Sequence, residues 1–166
     1  MSDQFSQAFR EEHRLVRDAL LDLVEAFQKR DSFRAQSILE EAAKLAGPHF
    51  RYEEETLYPY LVEIFGRDYI EKLLDDHNRI IETISTLVEF SRNGQLSDGE
   101  AQTATDLVRT ILPHVSDCDG LSIMVERLSS EKVQSILQSR DRAFSENLDL
   151  FRWVGEVRKR PVLAAA

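Results

Sequence analysis

The chain predicts an all-α fold, an up-down-up-down four-helix bundle with an additional C-terminal helix. Three observations carry that expectation. Apolar residues recur at steps of three, four and seven over most of the length. Cap and turn signals fall between these runs, while only six Gly and four Pro interrupt them. The four histidines form two similar pairs, with 36 residues from His13 to His49 and 37 from His77 to His114. Two helical hairpins so related bring four helices round one axis. The expected boundaries are a bundle over residues 1–128 and a helical extension and tail over 129–166.

The first helix is expected from about Asp3 to Lys29. Phe5, Phe9, Val16, Leu20, Leu23 and Phe27 form its apolar stripe, and His13 falls inside it. Asp31 or Ser32 then suits an N-cap. The second helix carries Ile38, Ala42 and Leu45. Gly47-Pro48 predicts a kink or brief break, because proline lacks a backbone donor. Beyond it the helix resumes through His49, Glu53, Leu57 and Leu61 to about Phe65, with Gly66 as C-cap. The third begins near Asp68, buries Ile70, Leu73, His77, Ile80, Ile84, Leu87 and Val88, and stops before Asn93-Gly94. Ser97-Asp98-Gly99-Glu100 reads as a capping box opening the fourth. Leu107, Ile111, His114, Cys118, Leu121, Val125 and Leu128 follow, with a second kink at Pro113. A weaker stripe from about Glu131 to Trp153 predicts the fifth, placed to cap the bundle or to pair with another subunit. The tail from Arg158 to Ala166 is expected to fray.

Composition narrows the function classes. A net charge of −9 disfavours nucleic acid and anionic membranes, since phosphate surfaces attract basic proteins. No segment has the ~18 consecutive apolar residues a membrane span needs. One cysteine allows no internal disulfide and fits a reducing compartment. With no leader-like apolar run in Met1–Arg14, the expected location is the cytoplasm.

The chemistry concentrates in Pro48-His49-Phe50-Arg51-Tyr52-Glu53-Glu54 and in Pro113-His114-Val115-Ser116-Asp117-Cys118-Asp119. His49 and Glu53, four apart, share one helix face. A carboxylate on a core-facing stripe is unfavourable unless it is paired or binds a cation. Each of the first four predicted helices brings one histidine to its core stripe. Imidazole and carboxylate together suit Fe, Mn or Zn, and carboxylates that bridge favour two ions. A Cys118–His114 nucleophile pair is disfavoured by its apolar and acidic neighbours. Haem ligation by a His–Met pair is disfavoured, since Met124 lies off the main stripe. No glycine-rich phosphate loop is present.

The pattern over about Phe9 to Leu128 resembles the hemerythrin family, or HHE cation-binding domains. His49-Phe50-Arg51-Tyr52-Glu53-Glu54 is similar to the family's second-helix His-x-x-x-Glu. His13 and His77 correspond to its first- and third-helix histidines, and His114 to Asp119 resembles the His-x-x-x-x-Asp of hemerythrins proper. The resemblance implies a non-haem di-iron site, oxo-, hydroxo- or water-bridged, with Glu53 and Asp119 as bridging carboxylates. It further implies binding or sensing of O2 or a related ligand such as NO or peroxide. The alternatives are a di-iron enzyme for peroxide, NO or iron-centre repair, and a structural helical adaptor. Two departures stand out. Leu73 and Ile81 flank His77 where hemerythrins proper have a second third-helix histidine. Cys118 occupies the place where HHE proteins often have a second bridging Glu. Glu12, Glu54, Asp76 and Asp117 are the neighbouring carboxylates able to complete the site. On an ideal helix Cys118 lies about 40° round from His114 and Asp119 about 140°. The resemblance nevertheless favours Asp119 as ligand, turned inward by the Pro113 disturbance, with Cys118 packed beside the metals.

Overall fold

In the computed structural model, which describes residues 2–161 and 163, the elements are helical and no strand occurs among the described residues. Helix α1 spans Ser2–Gln28 and α2 Ser32–Tyr52. A π-helical turn, Glu53–Leu57, joins α2 to α3, Tyr58–Phe65. Then come α4 (Arg67–Arg92), α5 (Asp98–Arg109), α6 (Leu112–Asp119) and the short α7 (Leu121–Met124), which runs into a 3-10 turn. Helices α8 (Ser130–Glu146) and α9 (Leu150–Glu156) follow.

Side-chain chemistry sets the boundaries. Asp31 accepts from the Arg34 N–H and starts α2. Ser97 and Glu100 exchange both bonds of a capping box and start α5. Gly66, at φ 80°, and Gly94, at φ 64°, take conformations that disfavour other residues and turn the chain after α3 and α4. The helix carrying His114 breaks at residues 110–111, with Pro113 in the first turn of α6. Proline fits there because first-turn N–H groups have no helical partner.

Helix α2, by contrast, runs unbroken through Pro48, so the expected interruption is not there. Gly47 has another task. A Cβ on it would lie 2.2 Å from the Leu148 carbonyl oxygen and 2.7 Å from the Leu150 nitrogen. The glycine lets the α8–α9 connection press against α2. The interruption falls after it, where the Tyr58 N–H bonds the Glu53 carbonyl across a π-turn. Pro59, one residue later, cannot supply a regular helical donor.

Helices α1, α2, α4 and α5 close a ring, with α1 against α2 and α5, and α4 against α2 and α5. Helix α8 lays Val133, Ile136 and Ala143 on α1, α2 and the π-turn of the same chain. The most buried face of α2 is Ala35, Leu39, Ala43 and Ala46, with Ile38, Ala42 and Leu45 half-buried beside it. That one-residue rotation follows from α2 being packed on several sides, by α1, α4, α8 and α9. The single expected C-terminal helix is two. Asn147 takes φ 49° and ends α8, and Asp149 caps α9 through the Phe151 and Arg152 N–H groups. The tail is tied down as far as Arg160, which pairs with Glu71 and Asp75. Residues 162 and 164–166 lie outside the described residues.

Two apolar clusters fill the interior. One contains Leu20, Leu23, Phe27, Phe50, Ile84 and Trp153. The other contains Phe5, Phe9, Tyr52, Tyr58, Leu61 and Leu121. The buried histidines and Glu53 lie where residues of the two clusters meet, as when His77 stacks on Phe50 at 3.8 Å and lies 5.3 Å from the Tyr58 ring.

Candidate metal centre

All four histidines are buried, and they come together from α1, α2, α4 and α6. His13 and His49 meet edge to face with ring centroids 4.7 Å apart, and His77 and His114 meet likewise at 4.9 Å. Glu53, fully buried, stands among them. His49 Nε2 is 3.4 Å from Glu53 Oε1, and His77 Nε2 is 3.2 Å from Oε2.

The outward ring nitrogens of three histidines are committed. His13 Nδ1 donates to the Phe9 carbonyl at 2.9 Å. His49 Nδ1 bonds Glu12 at 2.6 Å, and Glu12 also accepts from the Tyr52 hydroxyl. His77 Nδ1 bonds Glu54 at 2.9 Å. His114 Nδ1 lies 3.7 Å from Asp76. Partners of this kind fix a histidine's tautomer and leave Nε2 free to bind a cation. Glu12 and Asp76 each stand immediately before the first histidine of a hairpin; Glu12 bonds the second one, and Asp76 only approaches it. Among the neighbouring carboxylates, Glu12 and Glu54 are thus outer partners, and Asp76 lies at longer range. The signal for Glu12 and Asp76 was an acidic residue directly before His13 and His77.

Cys118 and Asp119 differ in burial. Cys118 is fully buried, 3.4 Å from His114 Nε2, and its sulfur lies within 4.8 Å of ligand atoms of His13 and Glu53. Asp119 is half-exposed, yet its Oδ1 is buried without a hydrogen-bond partner among the described residues and lies 3.9 Å from His13 Nδ1, the nitrogen already bonded to Phe9. Tyr58 is a further site residue that sequence reasoning passed over. Its hydroxyl is 3.1 Å from His77 Nε2 and 3.6 Å from Cys118 Sγ.

Both Glu53 oxygens are buried with no hydrogen-bond partner among the described residues. A carboxylate facing the lone pairs of two neutral imidazoles is repelled by them, so the pocket needs positive charge. Without a metal, protons supply it. Burial pulls the His49 pKa down, but Glu53 and Glu12 outweigh burial and raise it to about 10. His77 is also raised against burial, by Glu53 and Glu54. Burial and the neighbouring His49 lower the pKa of His13, and burial with His77 lowers that of His114 to about 3. Burial raises Glu53, yet the His49 and His77 charges hold it well below the usual carboxylate range. Burial and the Glu53 charge push the Cys118 thiol up. The donor set therefore fits a cation: imidazole nitrogens, one orphaned carboxylate and one thiol converge.

The family model for the hemerythrin HHE cation binding domain matches residues 4–121. The chain belongs to this family. Comparison with curated proteins and with solved structures gives no match. In this hemerythrin-type chain the match ends before α8, so α8, α9 and the tail lie outside it. No helix among the described residues is long and apolar enough to cross a membrane.

Two openings border the centre. An apolar cavity of about 40 Å³ is lined by His13, His49 and His114 with Val16, Leu20 and Ile84. A groove of about 620 Å³, bordered by Lys72, Arg79, Pro113 and Asp117, reaches Asp76 and His114.

Proposed function

We propose that the protein is a non-haem di-iron protein that binds or senses O2 or a related small ligand such as NO or peroxide. His13, His49, His77, His114 and Glu53 would hold the metal, with Cys118 the better placed fourth-helix candidate and Asp119 the alternative. The observation that carries this reading is the buried Glu53 carboxylate, orphaned between imidazoles whose outward nitrogens are already committed. Iron held there supplies a redox-active Lewis-acid centre; Mn and Zn suit the same donors. Glu12 and Glu54 orient His49 and His77 by holding the Nδ1 protons. Phe9 and Phe50 flank the rings and exclude water. The apolar cavity supports a small ligand, because about 40 Å³ admits a diatomic molecule whereas pockets for drug-sized organic ligands measure ~300–1,000 Å³.

In this reading residues 1–128 form an up-down-up-down bundle, and 129–166 extend it. The short links between α1 and α2, and between α3 and α4, favour antiparallel neighbours. The free buried cysteine supports a cytoplasmic setting. One observation favours an enzyme handling peroxide or NO instead: the Tyr58 hydroxyl is a buried proton donor facing the site. Turnover assays with peroxide and NO separate the two readings.

Elemental analysis of natively purified protein tests the proposal. About two metal ions per chain are expected, as in di-iron bundles. His49→Ala should lose most of the metal. Metal bound only to the folded state raises the melting temperature by mass action. A metal-free preparation that neither rebinds metal nor changes its melting with iron refutes the reading and leaves a structural adaptor.

A further inference from the structure

The C-terminal segment reaches the metal centre. Arg140, on α8, donates from Nε to Glu12 Oε1 at 2.6 Å. The other oxygen of Glu12 holds His49 Nδ1. Arg158, after α9, forks onto Glu54, with Nε 3.0 Å from Oε2 and Nη2 2.8 Å from Oε1. Glu54 Oε1 also holds His77 Nδ1. His49 and His77 are the two histidines whose inner nitrogens face the Glu53 oxygens. Both guanidinium groups are themselves placed. Arg140 lies 4.7 Å over the Phe144 ring and Arg158 5.4 Å over Trp153, while Arg158 also bonds Asn78. The other two histidines have no such reach to the segment, since His13 bonds its own helix and Asp76 is paired with Lys72 of α4.

Resting on the metal-binding reading above, we infer that Arg140 and Arg158 are positioning residues of the centre. Each clamps the carboxylate that orients one of the two Glu53-facing histidines, so docking of the C-terminal segment tunes the metal. The physical reason is a contest for the carboxylate's electrons. An unpaired Glu12 or Glu54 draws strongly on the Nδ1 proton and makes the imidazole a stronger donor. A guanidinium on the same carboxylate weakens that pull and fixes the group in one orientation. The arginines therefore favour the lower oxidation state and hold the ligands in register. By linkage, the bound metal strengthens docking of the segment.

The test uses the full-length chain with ferrous iron as probe. Affinity is read anaerobically against a competing chelator, and the midpoint potential of the bound iron by redox titration. Folding of each variant is checked by circular dichroism. Arg140→Gln and Arg158→Gln should each lower the potential, since the freed carboxylate makes its imidazole the stronger donor, while loss of the carboxylate's fixed orientation outweighs that gain for ferrous iron and weakens its binding by up to ~10-fold. Arg→Lys at either position should recover part of both, because the charge stays while the fork is lost. In a Glu12→Gln background, Arg140→Gln should add no further loss, since its route is gone. Wild-type chain supplies a readout independent of the variants: trypsin cleavage after Arg158 or Lys159 should be slower with iron than without. Folded Gln variants with wild-type affinity and potential, or equal cleavage rates with and without iron, overturn the clamp while leaving the metal site standing. Failure of the wild-type chain to bind iron overturns both.

Discussion

Replacing Gly47 by alanine tests whether the α8–α9 connection is held against α2 as the structure has it. The added methyl meets three backbone atoms: the Leu148 oxygen at 2.2 Å, the Asp149 carbonyl carbon at 2.5 Å and the Leu150 nitrogen at 2.7 Å. Ordinary contact begins near 3.4 Å, so the connection must retreat by more than an ångström. Backbone on both sides cannot rotate away as a flexible side chain would. Overpacking of this kind costs ~1–3 kcal/mol, and the upper end applies here. Alanine recovers ~1 kcal/mol of helix propensity over glycine. The net loss is ~2 kcal/mol, or a fall of roughly 4–8 °C in melting temperature for a chain of this size. Urea titration of metal-free wild type and Gly47→Ala, followed by far-UV circular dichroism, measures it. An alanine variant as stable as wild type, or more so, would show that the close approach at Gly47 is not a feature of the folded protein.

Metal-free protein should be most stable near neutral pH. His49, raised from 6.5 to about 10, contributes fully below pH 6.5 and loses its contribution as pH climbs towards 10. His114, lowered to about 3, contributes above pH 6.5 and loses its contribution as pH falls towards 3. Thermal melts across that range check this, and a melting temperature that only rises or only falls with pH refutes it. Cys118→Ser should reduce metal affinity by at least ~10-fold or remove a charge-transfer band, with Asp119→Ala changing less. The reverse order in metal content and absorption returns the ligand role to Asp119. Ser97→Ala removes an exposed capping box and should destabilise by ~1 kcal/mol in urea titration; a change within a few tenths would mean that the α5 N-terminus is held by other contacts.

Much of the fold was legible because its signals are local. The stripe through Phe5, Phe9 and Leu20, the Asp31 cap and the Ser97–Glu100 box each lie within a few turns of helix. The convergence of His13, His49, His77 and His114 was legible from spacing on four core stripes. Gly47-Pro48 was misread because a glycine's reason can lie far along the chain, here at Leu148–Leu150. The π-turn was missed because Pro59 signals an irregular helix without specifying which kind. The break between α8 and α9 was written in Asn147 and Asp149, a left-handed stop followed by a cap, but the apolar stripe spoke over it. Local pattern could not reveal Arg140 on Glu12 or Arg158 on Glu54, which are 128 and 104 residues apart.

The placing of Glu12 has a consequence for how the first two helices depend on each other. Glu12 stands beside His13 on α1, yet it holds His49 of α2. Sliding α1 by one turn along α2 would therefore displace His13 and release the Nδ1 of His49 at the same time. The second hairpin lacks that tie, since Asp76 stays 3.7 Å from His114. Four residues beyond the second histidine, one half has Glu53 and the other Cys118. The two halves of the bundle are thus alike in the spacing of their histidines and unlike in what locks them together.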